Sequence, residues 1–435
     1  MAYTEETRAT GVTRPYAYYA LALLSIINLV NYLERNAIFA LFEPVRRDLS
    51  LTDIHLGWLG SAYVLVFSLA SVPAGIAGDL GSRRVVIATG VMIWSIATCL
   101  SGLVEGFGTL LIARAFVGFG GALAATASAS MVADYFPGQR RSLAMSIFMA
   151  GLAIGGVTGI LLTGQLEHLY GWRVAFLVVG SPGFLLAALV LRIKDPTRPH
   201  VPSREGADAL LATVRELEGV ARRILRTPTL VAVFVGGALI SFGMNGLIGW
   251  APTFLQRERG LSTAQASVLL GSWGLIAGIT GTVIGGVIAD LLRSRFPAAR
   301  ILTSCMGFFI GVPLAIWLLW IRDMSWFVPI FFAAFFFLTW YNGPLTAVIF
   351  DVTPSRIATT VAGAFLMFIH LAGDAIAFPL VGVLSDNFGL QKAILLLPGA
   401  SLIGALIVLL GARTLTKDTI RAQRSDTHQI PLQGI

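Results

Sequence analysis

Apolar residues run in long stretches along almost the whole chain, punctuated by short clusters of Arg, Lys, Asp, Gly and Pro. At ~1.5 Å rise per residue, about 20 apolar residues cross a ~30 Å hydrocarbon core, so each stretch reads as a membrane-spanning helix. The pattern predicts twelve, near residues 17–42, 56–78, 85–104, 109–133, 142–166, 173–193, 229–255, 264–289, 300–321, 326–350, 357–385 and 391–412. A long polar interruption, Lys194 to Pro228, divides them six and six. Inside it Leu210, Leu211, Val214, Leu217 and Val220 or Ala221 share one helical stripe, which predicts an interfacial helix over Ala207 to Leu225. The expected plan is a tail over 1–16, a bundle over 17–193, a linker over 194–228, a bundle over 229–413 and a tail over 414–435. The first 16 residues and those after Thr416 read as disordered.

Composition sharpens this to an all-α membrane protein. The chain is 56% hydrophobic and 12% charged, about half the charged share of a soluble domain. The net charge of +8 could suit nucleic acid, but its placement suits a membrane surface and excludes a nucleic-acid partner. Arg8, Arg14, Arg83, Arg84, Arg140, Arg141, most linker bases and the tail bases fall on one side, so both termini are expected in the cytoplasm, with the chain in a bacterial plasma membrane. The first span is too long for a signal-peptide core and is read as a mature helix. Cys99 and Cys305 lie in separate spans and give neither a disulfide framework nor a metal spacing. No zinc-binding His-Glu-x-x-His, Gly-x-Ser-x-Gly or Walker loop is present, so neither an enzyme nor a cofactor is expected.

Internal repetition organises the spans. Gly75 to Asp79 ends the second span and Gly286 to Asp290 the eighth, 211 residues later, with Arg83 and Arg84 following one and Arg293 and Arg295 the other. Asp134 to Pro137 closes the fourth span and Asp351 to Pro354 the tenth, at an offset of 217. Gly164 to Gly171 pairs with Gly382 to Gly389 at 218. Three matches in order at nearly one offset indicate a duplicated six-span unit, the plan of transporters whose site lies between two halves.

Charged residues inside such spans carry the candidate chemistry. Asn31-Tyr32-Leu33-Glu34-Arg35-Asn36 places an acid beside a base within the first span, where a charge costs at least about 2.5 kcal/mol on insertion scales. Arg114 on the fourth span is a second fixed positive charge that could reach the same region. Glu34 then reads either as a proton-coupling acid or as half of a permanent bridge to Arg114. On the eleventh span His370 and Asp374 are four apart on one helix face, suited to proton handling or, alternatively, satisfied as a polar pair by Asn342 or nearby hydroxyls. Arg35, Arg114, Asn31, Asn245, Asn342, Tyr63 and Phe67 are the candidate substrate-binding residues. Gly151, Gly155, Gly156 and Gly159, like Gly118, Gly120 and Gly121, read as close helix packing.

Over essentially all its spans the sequence resembles the major facilitator superfamily, through Gly75 to Arg84 and Arg114-Ala-Phe-Val-Gly118-Phe-Gly120. Leu80 stands where that loop commonly has a base. The resemblance implies two pseudo-symmetric six-helix halves and a cytoplasmic latch made by Asp79, Arg83, Arg84, Asp134, Arg140, Asp290 and Arg293. Within the superfamily the chain is similar to the Spinster-like group, through Asn31 to Arg35, Asp134 to Pro137, Gly171 to Phe176, Trp250 to Leu255 and His370 to Asp374 continuing to Asp386. That group often has an acid after the fourth-span glycine, and here the position is Gly121, which leaves Glu34 as the acid deep in the first half. The implied activity is alternating-access, proton-coupled transport of a lysophospholipid or sphingolipid-like amphiphile by a monomer. The alternatives are proton symport of small organic acids, with Arg35 and Arg114 holding a carboxylate, and drug/proton antiport.

Overall fold

The structure, a computed structural model, describes residues 13–136, 140–196 and 218–427. These are helical and turn segments, with no strand among the described residues. Helix α1 (Arg14–Ala40) starts with Pro15 in its first turn, where a missing N–H costs nothing. There follow α2 (Phe42–Asp48), α3 (Asp53–Leu80), α4 (Arg83–Ser101), α5 (Phe107–Tyr135), α6 (Arg141–Gly180) and α7 (Pro182–Val190). The later helices are α8 (Pro228–Arg259), α9 (Thr263–Arg293), α10 (Ala299–Leu318), α11 (Met324–Leu338), α12 (Asn342–Asp351) and α13 (Ser355–Ile369). A π-helical turn, His370–Asp374, leads into α14 (Ala375–Phe388), α15 (Leu390–Ile394), α16 (Leu396–Gly411) and α17 (Leu415–Thr427).

Eleven helical segments among the described residues are long and apolar enough to cross a membrane. One of them, Leu143–Val190, holds the fifth and sixth predicted spans. They part at Gly171, whose φ of 82° and ψ of 162° lie in a region that only glycine enters cheaply. Gly389, its partner in the repeat, has φ 86° and ψ 150° and separates the last two spans in the same way. Duplication is thus visible in backbone conformation as well as in sequence.

Several boundaries differ from expectation. Residues 14–16 are already helical, not tail. Of the segment read as disordered after Thr416, residues 417–427 lie in α17, which buries Leu415 and Ala422 and uses the Asp418 carboxylate to accept from the Thr229 N–H at 3.0 Å, capping the start of α8. Residues 207–217 of the proposed interfacial helix lie outside the described residues, and 218–225 are helical.

By contact the chain forms two compact units. The first comprises residues 1–203, 249–275 and 378–386. In it α1 packs along α6, α3 along α5, and α4 along α5 and α7. A Cβ on Gly159 would reach within 3.0 Å of Leu33 Cα, so the small residues of α6 let the two backbones approach. The second unit comprises 204–248, 276–377 and 387–435. Its core gathers Leu230, Val233, Phe308, Val348, Val361 and Val408 from α8, α10, α12, α13 and α16.

Candidate functional site

In the first unit the residues of the opening motif meet α3, α4 and α5. Glu34 and Arg114 are both 0% exposed, yet their side chains do not pair as expected. Arg114 donates from Nη1 to the Glu34 carbonyl at 3.4 Å and from Nη2 to the Arg35 carbonyl at 3.0 Å. Each of those carbonyls has a second lone pair beyond its helical bond, and the guanidinium fork uses it. Of the two readings of Glu34, the permanent carboxylate bridge to Arg114 is therefore replaced by a side-chain-to-backbone clamp. The Glu34 carboxyl lies against the Trp94 indole and the Thr98 hydroxyl on α4, and neither contact closes to a hydrogen bond of normal geometry.

Around this core, Tyr63 donates to Asn31 Oδ1 at 3.2 Å and stacks on Phe67 at 5.6 Å. The Arg35 guanidinium sits over the rings of Tyr32 and Tyr63 at 5.6 and 5.3 Å. Gly121 makes this arrangement possible: a Cβ there would meet Asn31 Nδ2 at 2.8 Å and the Tyr63 hydroxyl at 3.0 Å. An acid at that position would displace both. The structure thus brings together Asn31, Glu34, Arg35, Tyr63, Phe67 and Arg114.

In the second unit Asp374 is 0% exposed and closely held. Its Oδ1 accepts from the Ser241 hydroxyl and from Asn245 Nδ2, the latter at 2.9 Å, while Oδ2 lies 2.6 Å from His370 Nδ1. The His370 carbonyl accepts from the Ala375 N–H five residues on. Close approach to α8 holds this turn in place, since a Cβ on Gly373 would lie 2.6 Å from the Ala238 carbonyl. Asn245 is thereby committed to Asp374. Asn342 begins α12 and donates to Thr282 Oγ1 at 3.2 Å. Ser241 and Asn245, which bind Asp374, stand four apart on α8, a spacing readable in the sequence but common among apolar helices.

At the Ala40 end of the first unit lies a network that the sequence reading missed. Arg257 donates to Glu43 Oε2 at 2.5 Å and grips both oxygens of Asp53 at 2.6 and 2.7 Å. Arg46 and Arg47 also donate to Glu43. Asp386 accepts from the Asp53 and Ile54 N–H groups at 2.9 and 3.0 Å, capping α3 from a distant part of the chain, and Ser385 donates to Asp53. Burial alone would raise the Glu43 carboxyl, but hydrogen bonds from Arg46, Arg257 and Arg47 and the charge of Arg257 outweigh it and hold it at about 2.

At the Arg14 end Arg83, 1% exposed, binds Asp134. It also donates from Nε to Asp195 at 2.9 Å and from Nη2 to the Pro196 carbonyl at 3.2 Å, partners not foreseen. Arg84 and Arg140 are exposed, and the Asp79 side chain lies outside the described residues. In the second unit Arg300 binds Asp351 at 2.5 Å and Asp290 at 3.2 Å, and Arg293 binds Asp351 at 3.1 Å. The counterpart of Arg83 is therefore Arg300 in place of Arg293: it stands at the same 217-residue offset as Asp351 from Asp134 and makes the same bond.

The profile of the Major Facilitator Superfamily matches residues 24–374. Among curated proteins, an MFS-type efflux pump of Mycolicibacterium smegmatis is 28% identical, covering 94% of this chain and 95% of that one. Protein spinster of Drosophila melanogaster is 26% identical over 85% of this chain and 62% of its own. The probable galactarate/D-glucarate transporter GudP of Bacillus subtilis is 24% identical over 95% of each. Among solved structures, a bacterial homolog of the human lysosomal transporter Spinster, inward-facing and unoccupied, superimposes with a TM-score of 0.83 at 24% identity, covering 94% of this chain and 99% of that one.

Proposed function

Because the chain belongs to the Major Facilitator Superfamily, we propose that it is a proton-coupled transporter that moves an amphiphilic, lipid-like substrate by alternating access. The observation that carries the proton part is the burial of Glu34 without a hydrogen-bond partner. A permanently ionised carboxylate in such a place would be heavily penalised, whereas an acid that gains and loses a proton as access changes has reason to be there. His370 with Asp374 is the second proton-handling pair. Arg35 and Arg114 are fixed positive charges for an anionic headgroup, and Tyr63 and Phe67 offer the aromatic surface that an acyl chain or sphingoid base needs. The lipid-like substrate is what the resemblance to the Spinster-like group implies, and curated Spinster proteins are among the relatives.

In this reading the Arg14 end, with its surplus of Arg and Lys, faces the cytoplasm of a bacterium. In the first unit the Arg83–Asp134 pair acts as a latch there and the Arg257 cluster clasps the opposite end; in the second unit the Arg300–Asp351 pair acts as a latch.

The similarity to a sugar-acid transporter supports a second reading, symport of small dicarboxylates held by Arg35 and Arg114. Binding to purified protein separates the two. A lysophospholipid should bind, galactarate should not, and Arg114→Ala should weaken lysophospholipid binding at least about tenfold, the loss of one charge-assisted contact. Binding of galactarate alone would replace the first reading by the second.

A further inference from the structure

Between Val85 and Ser101 helix α4 carries no charge and no candidate site residue, yet it turns two hydrogen-bonding side chains, Trp94 and Thr98, to the proposed coupling acid. Trp94 Nε1, Ser95 Oγ and Thr98 Oγ1 are buried and unbonded, as are both oxygens of Glu34. Trp94 is 1% and Thr98 0% exposed. They stand four residues apart on one face of the helix, and both lie against the Glu34 carboxyl. Gly183 of α7 closes the space behind them, since a Cβ there would reach within 3.4 Å of Trp94 Nε1. An indole N–H can only donate, and a threonine hydroxyl turns to donate or accept. A pocket that contains unused donors beside an unpaired acid is matched to the anion of that acid.

We infer that Trp94 and Thr98 form the seat that receives the Glu34 carboxylate when it gives up its proton. This rests on the reading of Glu34 as a proton carrier. In the conformation described the two donors lie against the carboxyl without closing a hydrogen bond of normal geometry. On deprotonation Trp94 Nε1–H donates to one oxygen and the Thr98 hydroxyl to the other, so the charge is never left unpaired away from water. Trp94 and Thr98 are positioning residues in this scheme. The other titratable or charged groups around Glu34 are Arg114 from α5, Cys99 from α4 and its neighbour Arg35. Helix α3 contributes Tyr63, whose hydroxyl is committed to Asn31. Helix α6 has no charged residue between Arg141 and Glu167, and α7 has none.

The test needs no knowledge of the substrate. Infrared difference spectra of the purified full-length protein, recorded as pH is varied, report the carbonyl stretch of a protonated carboxyl. The Glu34 band is the one that disappears in Glu34→Gln. Donors to the charged form favour it, so Thr98→Val and Trp94→Phe should each move the midpoint of that band upward by about one pH unit, the scale of one lost bond to a charged group. Thr98→Ser, which keeps the hydroxyl, should restore the parent midpoint, a recovery that a packing defect alone would not show. If the band titrates but stays in place in both Thr98→Val and Trp94→Phe, the seat is wrong while the proton reading of Glu34 survives. If no band is lost in Glu34→Gln, the proton reading itself fails and the seat falls with it.

Discussion

Three acids show how differently this chain treats a carboxylate. Asp374 has Ser241, Asn245 and His370 around it, Glu43 has three arginines, and the Glu34 carboxyl oxygens accept no hydrogen bond of normal geometry. Glu43 lies outside the spans, and its carboxyl is held at about 2 against an ordinary 4.5. A lowered value means that its contribution to stability is full above the unfolded value and fades as pH falls from 4.5 toward 2. The stability difference between the parent and Glu43→Gln, followed by thermal unfolding, should therefore be constant from about pH 5 to pH 8 and shrink only in stronger acid. A difference that vanished between about pH 7 and pH 5 would make the Arg257 cluster a proton switch, which this account denies. Glu34, Arg114, His370 and Asp374 were legible because charge inside an apolar run is costly and hence conspicuous. Ser241, Thr98 and Trp94 were not, because each is common in such runs and only packing shows what it faces. Glu43, Asp53 and Arg257 sit at helix ends, where charge is ordinary, so nothing in the sequence marked them as partners.

Helix existence was readable from the length of apolar runs, and helix interruptions were less so. The break between α11 and α12 falls at residues 339–341, just before Gly343 and Pro344, residue types that loosen a helix. The π-turn at His370–Asp374 had no such signal, because close packing of Gly373 on α8 accompanies it. Gly171 and Gly389 appeared in the sequence as a repeat, and the structure gives the physical reason: each holds a positive φ between two spans. Replacing either by Ala should lower stability by about 1–3 kcal/mol, read as a fall in melting temperature. Equal melting temperatures for parent and variants would mean that the turn relaxes at no cost. The helical tail α17 was missed because its charged face resembles a disordered segment in composition, whereas its order comes from the Asp418 cap on α8.

At the scale of the molecule, duplication explains more than any motif. Arg83 with Asp134 and Arg300 with Asp351 are the same bond made twice, 217 residues apart, and Gly171 and Gly389 are the same turn made twice. The polar clusters break the symmetry: Glu34 and Arg114 lie in one unit, and His370 and Asp374 in the other. Duplicated ends with unlike interiors suit a transporter whose two units share mechanics but divide chemistry. The central claim is that Glu34 couples transport to protons. In proteoliposomes carrying the purified protein, an imposed pH gradient should drive movement of a labelled lysophospholipid, and Glu34→Gln should abolish dependence on the gradient while leaving movement down the lipid's own concentration gradient. Gradient-driven movement undiminished in Glu34→Gln would contradict it.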